Sequence, residues 1–423
     1  MVDHVSTNEM PRPLMVAHGW PRECYANGVV SYTAEIVAGM RRIGAQPRVA
    51  VFRIAEGARE DFVSQIPPVL AGYGRAARIA FSACRKMWPG LEVPSLECAS
   101  LLRKIRCLAV EAPVDICEME EAHARAGFLV GRSPIPIIVR LHGPWFLSGA
   151  SRGDKQDGAF RRRVKQEGVS ITKADGVTAP SRAVLEAVRS FYGFGLEEAE
   201  VIPNPVSPAA EQDRWKLCTC EPDEILFVGR FDRTKGADIA VEAIRRLRSV
   251  RPHCRLTFVG PDDGLITDEG APTHFEDFIN ARMPGATWDG AVQYMGYQPH
   301  NLLAHLRRRA MVTMVPSRYE TFGTTVVEAM SLGCPVVAAD VGGIPEIIQH
   351  ERNGLLCRPD DVDDLVEKML VLFRNPEFAA RLGAQAAIDA DEDYHPDRIA
   401  RQTLAFYRRV IGSTAGRKRI GIS

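Results

Sequence analysis

The sequence predicts an α/β protein of two helix-covered parallel sheets, and three observations carry that expectation. The chain has 423 residues, beyond the roughly 250–300 at which one hydrophobic core stops growing, so each half is expected to build its own. Short runs rich in Val and Ile alternate with helical patterns throughout, the signature of parallel strands covered on both faces. Between two such sets lies "VIPNPVSPAAEQDRWKLCTCEPDE", residues 201–224, whose prolines and polar residues suit a linker.

In the first half the strand candidates are "LMVAHG", "RVAVFRI", "VDICEM", "PIIVRLHG" and "GVTAP"; in the second they are "EILFVGR", "RLTFVG", "VQYMG", "VTMVPS" and "CPVVAAD". The expected division is 1–203, a linker over 204–223, a second domain over 224–395, and a last helix over 396–423. Residues 56–110 interrupt the first alternation with "AGYGRAARIAFSACRKMWPG" and then "LLRKIRCLAV". This stretch reads as an insertion of helices, basic on one side and apolar on the other. Arg75, Arg78, Arg85, Lys86 and Trp88 make it either a surface subdomain or a flap facing an acceptor or a membrane.

Composition excludes several classes. With 46% hydrophobic, 25% charged and 7% aromatic residues, the chain is an ordinary globular sequence. Lys plus Arg and Asp plus Glu both total 53, which argues against nucleic acid as a partner and leaves only local patches such as "RRRVK" at 161–165. The ten cysteines include no CxxC pair, so neither a zinc site nor a disulfide framework is expected, and a reducing compartment fits. The start, "MVDHVSTNEMPRP", lacks a signal-peptide core, and no run approaches the ~20 apolar residues of a membrane span. A cytoplasmic protein is expected.

The chemistry is expected at strand carboxyl ends, where open parallel sheets bind ligands. The run "VTMVPS" ends at Ser317 and a helix is expected from about Gly323, whose free amides and dipole would favour a phosphate. Glu320 and Glu328 flank this turn. Glu328 lies five residues past Gly323, roughly 7 Å along a helix and about the reach from a diphosphate to a ribose. Carboxylates accept paired hydroxyls, so one glutamate suits a ribose diol and the other a sugar. On spacing alone, a turn cap and a helix-surface ion pair explain the two equally well. After "EILFVG" come Arg230 and Lys235, cations suited to a departing diphosphate in place of a metal, or else a solvated basic loop. Asn27-Gly28 opens the first amphipathic helix and offers another backbone approach to a phosphate. His142 in "VRLHGPW" ends a strand, where it either faces a cleft or serves the core. The acidic pairs at 361–363 and 391–393 read as helix-end aspartates, and no metal is assigned.

"GRFDRTKG", "PSRYETFGTTVVEAMSLGCPVVAADVGGIPEII" and "NGLLCRPDD" resemble, in order and spacing, the donor-binding domain of the retaining glycosyltransferases that include sucrose synthases and bacterial mannosyl- and glucosyltransferases. The match is specific over about 225–375 and loose before it. The resemblance implies the GT-B fold, two Rossmann-like domains facing across a cleft, with the last helix returning to the first domain. It implies that Arg230 and Lys235 bind the diphosphate, that Glu328 binds the ribose, and that Glu320 and His142 stand beside the transferred sugar. Phe322, Gly323 and Thr324 would supply backbone contacts, with Thr325 joining the donor-binding set. Gly28 matches the second glycine of a Gly-Gly turn whose first is Asn27 here. Asn204-Pro205 replaces a frequent Asn-Gly at the hinge, which stiffens it.

The activity implied is metal-independent transfer of a hexosyl group, with retention, from a nucleoside-diphosphate sugar, UDP-sugar favoured, and no cofactor. The acceptor is a sugar, a lipid-linked or a small-molecule hydroxyl, with peripheral membrane contact through 72–110. A sugar phosphorylase, a nucleotide-sugar epimerase and a non-catalytic nucleotide-sugar-binding protein are the alternatives.

Overall fold

Strands buried on both faces must be apolar along their whole length, and that demand selects the sheets. The computed structural model describes residues 10–25, 27–68, 94–266, 272–285, 287 and 289–420. The first sheet holds β1 (Pro13–Trp20), β2 (Arg48–Ile54), β3 (Val63–Gln65), β4 (Ile116–Glu120), β5 (Ile137–Arg140), β6 (Gly176–Ala179) and β7 (Glu200–Val201), in the order 3-2-1-4-5-6-7. Every pairing in it is parallel.

The second half contains β8 (Glu221–Val228), β9 (Arg255–Val259), the short antiparallel pair β10 (Leu265–Ile266) and β11 (Pro272–Thr273), then β12 (Val292–Tyr294), β13 (Ala310–Val315), β14 (Val336–Ala339) and β15 (Leu355–Cys357). Apart from the antiparallel pair these form one sheet in the order 12-9-8-13-14-15, again wholly parallel. In β5, β6, β13 and β14 every residue is buried, as helices on both faces require.

Two parts of the 56–110 stretch belong to the first sheet's own layers. Val63–Gln65 is the edge strand beside β2, and the helix Pro94–Glu111 buries Leu101, Leu102, Ile105 and Leu108 in the main core. The reading of the whole stretch as an insertion is corrected there: apolar residues three and four apart face the sheet while Arg103 and Arg106 face water. Arg75, Arg78, Arg85, Lys86 and Trp88 lie outside the described residues.

The final helix, Pro396–Ile420, packs on the first half rather than the second. Ile399, Ala400, Leu404, Phe406, Tyr407 and Val410 join a core with Met15, Ile36, Met40 and Ile138. Tyr407 and Tyr32 donate their hydroxyls to the two oxygens of buried Glu118, at 2.7 and 2.8 Å. Burial raises that carboxyl above its usual range, against the pull of Arg140 and both hydroxyls. Arg140 lies 4.5 Å over the Tyr32 ring and donates to Ile202 O and Asn204 Oδ1, both at 2.7 Å, fixing the start of the connection between the halves. Val206 N–H donates to Tyr394 O at 2.9 Å, so the outgoing and returning chain segments lie side by side.

The last helix begins tight against Gly39: a Cβ there would sit 2.4 Å from Pro396 O. Alanine gains about 1 kcal/mol of helix preference over glycine, but overpacking against backbone costs about 1–3 kcal/mol. Gly39→Ala is therefore expected to lower the urea midpoint, and a raised midpoint would mean the last helix yields without cost.

Candidate functional site

Each sheet reverses its strand order at one point, between β1 and β4 in the first and between β8 and β13 in the second, and ligands bind outside the carboxyl ends at such points. The two ends face one another across a cavity of about 520 Å³, a size typical of small-molecule sites. Among the expected residues, Gly28 and His142 line it from the first half. Arg230, Lys235, Glu320, Gly323, Thr324, Thr325 and Glu328 line it from the second. The backbone thus brings nine residues named from sequence to one cleft.

Glu320 is 8% exposed, and its Oε1 accepts bonds from Lys235 Nζ and Ser317 Oγ, both at 2.8 Å. Lys235 is set in turn by Asp232, whose Oδ1 accepts the Lys235 backbone N–H at 2.8 Å while Oδ2 accepts Arg230 Nε at 2.7 Å. One buried aspartate thereby places both cations after β8. Glu328 pairs with Arg307 at 2.6 Å while still lining the cavity, so the ion-pair and ligand readings of that residue are compatible.

His142 owes its position to Glu121. The two Glu121 oxygens accept the backbone N–H groups of His142 and Gly143, at 2.9 and 2.7 Å. Burial, and then the neighbouring Glu167 charge, push the Glu121 carboxyl up to about 8. The His142 ring meets the Tyr32 edge at 5.0 Å. Burial, followed by the Arg140 charge, holds its pKa well below the ordinary range, so the ring is neutral and keeps one acceptor nitrogen for a hydroxyl.

The two helix starts differ. Asn27 Oδ1 accepts the amides of Val29 and Val30 at 2.8 and 3.4 Å, so the backbone approach expected at Gly28 is already occupied by a side-chain cap. A Cβ at Gly28 would meet nothing within 4 Å. The helix Thr324–Ser331 instead starts at Gly323, φ +106°, with no side-chain cap, leaving its first amides to an anion. Phe322 does not line the cavity. It is 3% exposed and meets Tyr394 edge-on at 5.5 Å, anchoring the turn from below.

Asp232, Glu121 and Arg307 are not marked as site residues by the sequence, while Ser317, expected at the ligand-facing strand end, holds Glu320. Asp232 carried a signal, an aspartate three residues before Lys235 and shortly ahead of the helix that starts at Ala237, in position for a local side-chain turn. Asp361 caps the helix Val362–Arg374 through the Asp364 N–H, as a helix-end aspartate does. Among the described residues no cluster of three or more His, Cys, Asp or Glu is placed to hold a metal, and no helix is long and apolar enough to cross a membrane.

The model of the Glycosyltransferase Family 4 domain matches residues 26–210, and that of glycosyl transferases group 1 matches 211–389. Glycogen synthase of Mycobacterium tuberculosis H37Rv is 28% identical over 278 residues, 64% of this chain. That match spans 63% of the relative, just under two thirds of its length. Sucrose-phosphate synthase of Thermosynechococcus elongatus superposes with a TM-score of 0.70 at 18% identity, covering 95% of this chain and 100% of the other. Anabaena HepE in complex with UDP-glucose superposes with a TM-score of 0.65 at 18% identity, covering 96% and 100%.

Proposed function

Because the chain belongs to the GT-B glycosyltransferases, with a Family 4 domain followed by a group 1 domain, we propose that it moves a hexosyl group from a UDP-sugar to an acceptor hydroxyl, with retention and without a metal. The observation that carries this reading is the Lys235–Glu320 pair beside the uncapped helix start at Gly323. A cation, a carboxylate and a helix start open to an anion converge there. The UDP-glucose complex of HepE supports the choice of base.

In this reading the diphosphate rests on the first amides of Thr324–Ser331, with Lys235 and Arg230 offsetting its charge. Lys235 passes from Glu320 to the phosphate, which frees the carboxylate for sugar hydroxyls. Glu328 holds the ribose, and neutral His142 accepts a hydrogen bond from a sugar hydroxyl. The bond from the anomeric carbon to the β-phosphate oxygen breaks as the acceptor oxygen attacks on the same face. The departing phosphate takes the acceptor's proton, leaving UDP and the glycoside. Two fixed cations stabilise the leaving charge, the role a metal plays elsewhere. The acceptor is a sugar, lipid-linked or small-molecule hydroxyl entering from the first half.

A thermal-shift panel of nucleoside diphosphates, followed by donor turnover in EDTA, tests this. UDP at a hundredfold its Kd is expected to add about 2.7 kcal/mol to stability, and transfer is expected to survive chelation. Loss of turnover in EDTA with recovery on adding magnesium or manganese would overturn the metal-independent reading.

A further inference from the structure

Two side chains that do not line the cavity join the halves at the turn bearing Glu320. Ser181 starts the helix Arg182–Tyr192 of the first half, and its hydroxyl donates across the cleft to Thr321 O at 2.6 Å. Glu346, at the end of the short turn Ile344–Glu346 of the second half, accepts the backbone N–H groups of Arg182 and Ala183 with one oxygen each, both at 2.8 Å. The helix of one half is thus capped by a carboxylate of the other, where free amides and the positive helix end favour a negative charge.

The same segment braces Glu320 from behind. Gly343 N–H donates to Glu320 O at 3.0 Å. Gly342 has φ +52°, and a Cβ there would lie 1.9 Å from that oxygen, so only glycine admits the contact. Two successive carbonyls are therefore gripped: Glu320 O by the loop that Glu346 ties to the first half, and Thr321 O by Ser181.

We propose that Ser181 and Glu346 are positioning residues that set Glu320 against the sugar when the two halves close. All three bonds run between the halves, so separation breaks them and releases the Glu320 turn. Closure and the placement of the carboxylate are one event. This rests on the role given to Glu320 above, but the closing contact itself is independent of that role.

Glu346→Gln and Ser181→Ala test it. A glutamine offers one acceptor oxygen where two amides need one each. Both variants are expected to lower kcat about tenfold to a hundredfold, the scale of a small misplacement at a reacting centre, with the Kd for free UDP raised by a much smaller factor, through the weakened closure alone. Small-angle scattering with UDP bound is expected to show less compaction in Glu346→Gln than in the unaltered protein. Unchanged kcat overturns the proposal, as does a UDP affinity that falls in step with kcat, which marks general damage. Should Ser181→Ala melt early without ligand, Glu346→Gln, altering an exposed side chain, decides alone. Should the unaltered protein transfer no sugar, the functional reading fails by itself, and equal compaction of the protein and Glu346→Gln overturns the latch separately.

Discussion

Glu320→Gln is expected to lower kcat about a hundredfold while leaving the Kd for free UDP within about twofold, the pattern of an interaction made chiefly in the transition state. The substitution keeps the side chain's shape and its bond from Ser317 Oγ, but removes the negative charge that faces positive charge growing at the anomeric carbon. Free UDP carries no hexose and so lacks the group that Glu320 serves. Lys235, now facing a neutral amide oxygen in place of a carboxylate, is held less tightly and becomes more available to the diphosphate, which works against any loss of UDP affinity. Steady-state kinetics and calorimetry of UDP binding check both halves of the statement. A UDP affinity reduced as far as in a Glu328 variant would sink the division of roles between the two glutamates.

Glu328→Ala is expected to fail on two counts at once. Arg307 is 1% exposed and donates to Glu328 Oε2 at 2.6 Å, so truncation strands a buried guanidinium. Breaking a buried pair from one side costs about 3–5 kcal/mol, and the ligand-free melting temperature should drop accordingly. Donor binding should weaken by about tenfold to a hundredfold as charge-assisted bonds worth roughly 1.5–3 kcal/mol are lost. The pair Arg307→Met with Glu328→Gln separates the effects: stability is expected to recover substantially, because a neutral apolar chain replaces the stranded cation, while the donor KM stays raised. Recovery of both together would make Glu328 a structural brace and nothing more.

The sheets were legible because parallel strands buried on both faces write themselves as unbroken apolar runs. Edge strand Val63–Gln65 escaped because it is three residues long and partly exposed, too short to show a period. The helix Pro94–Glu111 is legible as amphipathic, basic on one side and apolar on the other, but the pattern does not say that its apolar face joins the main core rather than an inserted subdomain. Arg230, Lys235, Glu320 and Glu328, singled out at strand ends and by the motif resemblance, do line one cavity, although spacing alone left a turn cap and an ion pair as equal readings of the glutamates. Arg307 and Glu121 were not singled out, since a buried charge is defined by its tertiary partner and carries no periodic mark. Asn27 is intermediate. Asparagine before a helical pattern is a good cap, and that rule alone argues against free amides at Gly28.

The bond between Val206 N–H and Tyr394 O has a mechanical meaning. The polypeptide passes between the two bodies by adjacent routes, and at their meeting the routes are pinned together, while Arg140 pins Asn204 to one body. Two tethers side by side suppress sliding and twisting and leave a swing about one axis, as covers turn on a spine. Displacement along that arc grows with distance from the spine. Ligand binding far out along the lever can therefore pull distant surfaces together while the tethers themselves hardly move. Cutting either tether would replace a single arc by loose tumbling, and the facing walls would no longer meet in register.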